Sequence, residues 1–336
     1  MILAGDIGGT NTRLGLFRQR DGNLEMLCER KYLSRQHKNL DEIVALLVAE
    51  EKVRVDAACF GVAGPVRQGR AKPSNLDWEI DAGSLAAQLG IQTVWLINDL
   101  ETHASALDDL QPADFVSLNS ASAQEGNVAL IAAGTGLGQA GVYWDRKRRH
   151  VFPSEGGHAD FAPRNDLEIA LHQYLRKKFG HVSCERVLSG PGIKNVYDFL
   201  RDSATEQEPP WLKEELERAE DQAIPISQYG LAGKAAICER TLDIFVAVYG
   251  AEAGNLALRM MAVGGVFLSG GIAGKLLPKM QGPAFMEAFV EKGRMKPLLQ
   301  TVPVKLIINE HIGLTGAARY AVTRMQEAAT AVAVSP

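Results

Sequence analysis

The chain is poor in cysteine. Its 336 residues include only Cys28, Cys59, Cys184 and Cys238, none in a C-x-x-C pair. That excludes a metal knuckle and a disulfide framework, and reduced thiols fit a cytoplasmic protein. Basic charge is also short. Thirty-six Lys and Arg against 40 Asp and Glu leave a net charge of −4, which offers no broad cationic surface to nucleic acid. The runs Arg146–Arg149 and Arg176–Lys178 are brief and read as solvated turn or helix faces. Long uninterrupted apolar stretches are missing too. The most apolar one, Ile244–Leu268, contains Glu252, Asn255 and Arg259, so it predicts a buried helix and strand rather than a membrane span. The expected first strand starts at once, with no basic segment and apolar signal core before it. H-E-x-x-H and G-x-x-x-x-G-K-[ST] are absent, and Gly134-Thr135-Gly136-Leu137-Gly138 lacks the G-x-G-x-x-G spacing. Zincin, P-loop and Rossmann readings therefore fall away.

Glycine is plentiful, at 33 residues, and it is clustered. Gly5-Asp6-Ile7-Gly8-Gly9-Thr10-Asn11-Thr12 follows the apolar Ile2-Leu3-Ala4 and precedes the alternating Arg13–Phe17. This reads as strand, glycine turn, strand. Such a turn can aim backbone N–H groups at a phosphate, and Asp6 puts a carboxylate where hydrated magnesium could sit. A plain hairpin with an Asp would look much the same. The pattern returns about 130 residues later (an offset read along the chain), in apolar Val128–Ile131, the Gly/Thr turn of Gly134, Thr135 and Gly136, and Gln139–Trp144. A third cluster, Gly264–Ile272, spans an apolar strand whose glycines would allow close approach of a flat ligand. Three such clusters in this order predict two α/β halves, each lending a phosphate-binding hairpin.

The remaining pattern is α/β. Helices are expected over Leu40–Glu51, Ala82–Leu89, Leu100–Leu107, Leu167–Phe179, Ile193–Arg201, Gly233–Met261 and Leu314–Ala328, and the last can cross back onto the first half. Strands are expected at Met26–Tyr32, Ala57–Val62, Val94–Ile97 and Val302–Ile308. Gly250 and Gly254 weaken the middle of the long helix. Asn98-Asp99 follows a strand end, where ligands bind in open α/β sheets. Asp99 could take a proton from an attacking hydroxyl, or simply cap the next helix. Glu155-Gly156-Gly157-His158 could converge on a small polar ligand, or form a solvated loop. Glu185 could be a capping-box acid or a ligand acceptor.

These runs, together with Gly180–Gly192 (GHVSCERVLSGPG) and Glu155–Pro163 (EGGHADFAP), resemble the bacterial ATP-dependent glucokinases of the hexokinase–actin–Hsp70 superfamily, in the group without the zinc motif. The resemblance runs nearly end to end. It implies a two-lobed ribonuclease H-like fold with an interdomain cleft, a small domain of 1–109 joined by 312–336, and a large domain of 110–311. It implies transfer of the ATP γ-phosphoryl group to the 6-hydroxyl of D-glucose at the start of glycolysis, by a magnesium-dependent cytoplasmic homodimer with no nucleic-acid or membrane partner. By the same resemblance, Gly5, Asp6, Ile7, Gly8, Gly9 and Thr10 form the first phosphate loop, with Asp6 near the metal. Gly134, Thr135 and Gly136 form the second, and Gly265, Gly270 and Gly271 border the adenine and ribose. Asn75, Asn98, Asp99, Glu155, His158 and Glu185 bind the sugar, with Asp99 as catalytic base. Two residues depart from the family's pattern: Leu100 stands where an aromatic is expected and Ala132 where glycine is. A kinase for another hexose, a sugar-sensing regulator and an actin- or chaperone-like ATPase are the rival readings.

Overall fold

The computed structural model describes residues 1–73 and 76–334. Two compact units divide the chain, one of Met1–Pro112 with Asn309–Pro336 and the other of Ala113–Ile308.

The first unit is built on strands β1 (Ile2–Ile7), β2 (Asn11–Arg20), β3 (Asn23–Leu33), β4 (Ala57–Val62) and β8 (Val94–Asn98), in the order β3-β2-β1-β4-β8. β1 runs antiparallel to β2 and parallel to β4, and β4 runs parallel to β8. Side chains alternate across such a sheet. Leu3, Ile7, Leu14, Phe60 and Val62 therefore bury one face, against Leu40, Ile43, Val44 and Leu47 of α1 (Leu40–Glu51). Ile2, Ala4, Cys59 and Ile97 bury the other face with Leu314, Ala317, Ala318 and Ala321 of α13 (Ile312–Val334). α13 packs on this sheet, and it is longer at both ends than its apolar spacing suggested. α1 begins where Asn39 accepts the Glu42 N–H at 3.0 Å. α2 (Ala82–Leu89) begins where Asp81 accepts from Ser84 and ends at left-handed Gly90. Between β4 and α2 lies a small sheet of β5 (Val66–Arg67), β6 (Arg70–Ala71) and β7 (Ile80–Asp81). Two-residue strands leave no periodicity to read, so the sequence gives no sign of it. α3 (Asp99–Ser105) follows β8 directly.

The second unit repeats the strand plan. Its strands are β9 (Phe115–Ser117), β10 (Val128–Ala133), β11 (Leu137–Trp144), β12 (Arg149–Ser154), β13 (Gly265–Ser269) and β14 (Val304–Ile307), in the order β12-β11-β10-β13-β14-β9. Its helices are α4 (Asp166–Phe179), α5 (Gly190–Asp202), α6 (Pro210–Arg218), α7 (Ala223–Leu231), α8 (Ala236–Met260), α9 (Gly271–Lys275), α10 (Leu277–Met280), α11 (Pro283–Val290) and α12 (Lys296–Gln300). A large core of residues such as Ile131, Tyr197, Phe245, Tyr249, Phe285 and Phe289 holds them together.

Gly250 and Gly254 do not interrupt α8; they let α11 touch it. A Cβ on Gly250 would stand 2.0 Å from the Phe285 carbonyl oxygen, and one on Gly254 would stand 2.4 Å from that of Phe289. Helix propensity disfavours both glycines, and backbone-to-backbone packing overrides it. Gly250→Ala should therefore destabilise the protein by about 1–3 kcal/mol through overpacking. Gly274→Ala on α9, where a Cβ meets nothing within 4 Å, should be neutral or slightly stabilising. Urea midpoints of the two variants check this; equal midpoints would contradict the packing account.

Candidate active site

In the first unit the site grows from the carboxyl ends of three parallel strands. Ile7, Val62 and Asn98 stand in one row across β1, β4 and β8. Asp6 is thus one residue before the row and Asp99 one residue past it, two strand spacings or about 10 Å apart across the sheet. Gly8, Gly9 and Thr10 form the turn between β1 and β2, closed by the Gly8 N–H donating to the Asn11 carbonyl at 3.0 Å. Ser34 braces this turn from below. Its hydroxyl donates to the Gly8 carbonyl at 2.8 Å, its N–H donates to the Thr10 carbonyl at 3.0 Å, and its Oγ lies 3.0 Å from buried Thr12 Oγ1. The amides of Gly9 and Thr10 meet no acceptor among the described residues, which leaves them for a ligand.

Gly5 is a packing position. It lies inside β1, where a Cβ would stand 2.3 Å from Phe60 Cδ1, and Ile7 is fully buried in the core. Asp6 points to the opposite face, beside Gly313 at the start of α13; a Cβ there would stand 3.0 Å from Asp6 Cγ. Burial pushes the Asp6 carboxyl upward, opposed by the Arg13 guanidinium and reinforced by Glu29. No hydrogen bond or ion pair engages this carboxylate among the described residues.

Asn98, not Asp99, caps α3. Its Oδ1 accepts the Leu100 N–H at 2.9 Å, and Glu101 reaches back to the Asn98 N–H at 2.9 Å, completing a capping box. The expected cap shifts by one residue because β8 extends to Asn98. Asp99 is the first helical residue, half-buried, with Oδ1 also 2.9 Å from the Leu100 nitrogen. Asn75 lies outside the described residues.

The second unit gathers its candidates by hydrogen bonds. The turn Gly134-Thr135-Gly136 follows β10, with the Gly134 N–H donating to the Gly136 carbonyl at 2.9 Å. Glu185 sits in the short 3-10 turn Cys184–Arg186, and its Oε2 accepts the Leu137 N–H at 3.0 Å. Glu185 is thus tied to the glycine turn and serves no capping box. A Cβ on Gly136 would stand 2.5 Å from that same oxygen. The Gly190 N–H donates to the Gly134 carbonyl at 2.8 Å, bringing the start of α5 to the same turn. Glu155 and His158 flank the 3-10 turn Gly156–His158, and their side chains lie 3.9 Å apart, exposed. This turn is stitched to the Glu185 segment by the Asp160–Ser183 bridge, the Phe161 N–H to Val182 carbonyl bond and the Cys184 N–H to Ala159 carbonyl bond, both 2.9 Å. Gly134, Thr135, Gly136, Glu155, His158 and Glu185 therefore share one edge.

Gly270 and Gly271 reach that edge. Gly270 (φ 87°) follows β13, and a Cβ on it would stand 2.5 Å from the Ala133 carbonyl oxygen. Gly265 does not reach it. It opens β13 and pairs in register with Val128, the first residue of β10. Five residues of strand, about 15 Å, separate it from the glycine turn. Its positive φ of 134° and tight approach to Pro303 give it a structural role. The sequence could not separate the two ends of one glycine-rich run.

The sequence reading also missed what lies beneath the edge. Buried Gln139 donates from Nε2 to Glu252 Oε1 at 2.9 Å, and Glu252 is held further by Asn255 at 3.0 Å and Arg259 at 2.7 Å. Gly156 packs on Gln139, where a Cβ would stand 2.1 Å from Oε1. A lone acid inside an apolar run was the available signal, read only as evidence against a membrane span. No helix of the described residues is long and apolar enough to cross a membrane, and no group of three or more His, Cys, Asp or Glu among them could cage a metal.

Cys184 is buried, with its thiol 3.5 Å from the Asp160 carbonyl oxygen and pushed up to about 12 by burial. It should resist alkylation in the native state whether or not a sugar is bound. Half-buried Cys28 should label before Cys59, Cys184 and Cys238. Mass spectrometry after a timed iodoacetamide pulse checks this; early labelling of Cys184 would refute it.

A model of the glucokinase family matches residues 3–324. A glucokinase of Nostoc punctiforme is 40% identical over 333 residues, covering 95% of this chain and 98% of that protein. Among solved structures, a glucokinase from an Antarctic psychrotroph superposes with a TM-score of 0.84 at 30% identity, over 96% of this chain and 98% of that one. A Balamuthia mandrillaris glucokinase in complex with glucose superposes at 0.79, over 96% of this chain and 93% of that one; at 21% identity it shows the shared fold.

Proposed function

The chain belongs to the glucokinase family, and we propose from that membership how its residues act. It is an ATP-dependent glucokinase of the actin/hexokinase-type α/β fold. The acceptor is the 6-hydroxyl of glucose and the products are glucose 6-phosphate and ADP, at the first step of glycolysis, in a cytoplasmic homodimer. The observation that carries this reading is the row of strand ends in the first unit, which puts an Asn-Asp pair on the same edge as a glycine turn with unclaimed amides.

Phosphoryl transfer needs positioning and charge stabilisation more than covalent help. The amides of Gly8–Thr10 and of Gly134–Gly136 would supply donors to the phosphates of ATP. Gly270 and Gly271, lacking side chains, would let the nucleoside lie close to the backbone. Asp99 would accept the proton of the attacking 6-hydroxyl while Asn98 orients the sugar. Glu155, His158 and Glu185 would pair the remaining hydroxyls. One Glu185 oxygen is committed to Leu137 and the other would face the sugar. Asn75 would join them. Asp6 fits a magnesium ion as a single half-buried carboxylate without a protein partner, since magnesium keeps most of its waters and binds through one or two carboxylates plus phosphate. Bound there, the ion would neutralise charge on the β- and γ-phosphates. Leu100 and Ala132 are both buried, so the two departures from the family's pattern alter packing beside the site and leave the reaction class intact.

Asp99→Asn should keep glucose binding while kcat falls about 10²–10⁴-fold. Glu155→Gln should chiefly weaken glucose, by about tenfold for one hydrogen bond to a charged group. A coupled assay of ADP release, run with glucose, fructose, mannose and glucosamine, and calorimetric glucose binding check both. Full turnover in Asp99→Asn would remove Asp99 as base, and ADP release independent of sugar would favour an ATPase.

A further inference from the structure

α8 carries two buried polar groups that the proposed reaction leaves without a task. Tyr249 and Glu252 are both buried, and their spacing puts them on one face of the helix. The Tyr249 ring is wedged edge-on between Phe245 at 6.0 Å and Phe285 at 5.9 Å. Its hydroxyl accepts the Ala133 N–H at 3.2 Å and donates to the Ile131 carbonyl at 3.3 Å. It thereby fills the backbone of β10 at the last residue before the glycine turn. Glu252 acts one strand over, accepting from Gln139 of β11 at 2.9 Å.

Both contacts fall on one row of the sheet. Ile131 stands opposite Gln139, and Gln139 stands opposite Ser154. Two turns leave from this row. Gly134 lies three residues beyond Ile131, and Glu155 directly follows Ser154. The second turn rests on the row itself. The Gly156 N–H donates to Ser154 Oγ at 3.0 Å, and a Cβ on Gly156 would stand 2.1 Å from Gln139 Oε1. Burying a carboxylate and a phenol costs free energy unless their hydrogen bonds are made. Here the bonds are made to the two strands that carry the turns. We infer that Tyr249 and Glu252 are positioning residues, Tyr249 for the turn of Gly134–Gly136 and Glu252, through Gln139, for the turn of Glu155–His158. That the first turn meets ATP and the second glucose rests on the reaction proposed above. Neither residue would touch substrate; each fixes the backbone beneath a proposed contact.

The test compares Tyr249→Phe, which deletes one hydroxyl and keeps the ring, with Gln139→Met, which removes the amide at similar length. Tyr249→Phe should raise the KM for ATP about three- to tenfold and that for glucose by less. Gln139→Met should raise the KM for glucose by a similar factor and that for ATP by less, with kcat near the unsubstituted value in both. Asn255→Ala loosens Glu252 from its half-buried side, where Asn255 donates at 3.0 Å. It should follow Gln139→Met with a smaller shift, which keeps the sugar arm readable if the buried substitution unfolds the chain. Thr241→Val is the control. The Thr241 hydroxyl bonds the Ile237 carbonyl within α8 at 2.7 Å, so both KM values should hold. A general loosening of α8 would rank the two KM shifts in the same order in every variant. That outcome, unchanged KM values in Tyr249→Phe and Gln139→Met, or a shift in Thr241→Val would overturn the inference. Hydrogen exchange of the free proteins, read by mass spectrometry, needs no reaction. Exchange should quicken at Gly134–Gly136 in Tyr249→Phe and at Gly156–His158 in Gln139→Met. Those changes in a chain without kinase activity would fault the proposed reaction alone, and a normal kinase with unshifted exchange would fault the positioning alone.

Discussion

The Leu137 amide donates to the Glu185 carboxylate at 3.0 Å, and the edge of the second unit is organised around that bond. It joins a hairpin near residue 135 to a 3-10 turn near 185, which the chain alone leaves unconnected. Gly136 must lack a side chain for the carboxylate to arrive. Once it has arrived, Glu185 is fixed at one oxygen, and the role proposed for it on the sugar would fall to the other. The cross-links from Phe161 and Cys184 then carry Glu155 and His158 into register with it. A flexible acid would have to lose rotamer freedom on binding; this one has already lost much of it.

Beneath that edge the second unit buries a charge. Glu252 is almost entirely enclosed in α8, and desolvating a carboxylate is expensive unless its oxygens are filled. They are filled, by Gln139, Asn255 and Arg259. The network is a poor source of net stability on general grounds, since an apolar replacement of similar volume would often fold as well. Its value is geometric. Gln139 lies two residues after Leu137 on β11 and directly under Gly156, so one buried acid sets the height of both the glycine turn and the Glu155–His158 turn. Gln139 Oε1 remains buried without a partner among the described residues, a cost that suits a group placed for position.

What could be read from sequence divides along physical lines. α1 and α2 were legible to the residue because each has an apolar stripe between a side-chain cap and a left-handed end, at Asn39 and Lys52 and at Asp81 and Gly90. β4 and β10 were legible as apolar runs bounded by turn residues. The place of Asn98-Asp99 at a strand end was legible from the apolar run Val94–Ile97, although the identity of the cap was off by one. The illegible features are those set by distant contacts. Gly250 looks like a helix breaker until Phe285 is placed against it. Glu185 looks like a capping acid until Leu137 is placed against it. Gly265 and Gly270 look alike in sequence, yet they occupy opposite ends of β13. The hydroxyl of Ser34 gives no sequence sign of the glycine turn it supports.

The two sheets share one plan, and the plan explains why equivalent places carry different chemistry. In each, a glycine turn follows a central strand that is antiparallel to the next and parallel to two later ones, as β3-β2-β1-β4-β8 and β12-β11-β10-β13-β14. An Asn and an acid stand at the junction of the second parallel strand and the next helix in each sheet: Asn98 ends β8 and Asp99 opens α3, while Asn309-Glu310 lies in the link between β14 and α13. In the first copy the pair starts the helix, with Asn98 Oδ1 accepting the Leu100 N–H at 2.9 Å. In the second the segment is spent on cohesion, since the Glu310 carbonyl accepts from Arg13 at 3.0 Å and His311 Nδ1 lies 2.9 Å from Glu29. Both tie the start of α13 to β2 and β3, and α13 is the helix whose first turn lies beside Asp6. The duplicated scaffold thus places an acid near two strand–helix junctions, and the contacts around the second turn its segment to holding the sheet. The base proposed above, Asp99, belongs to the first copy, where its helix begins at the end of the row of parallel strands.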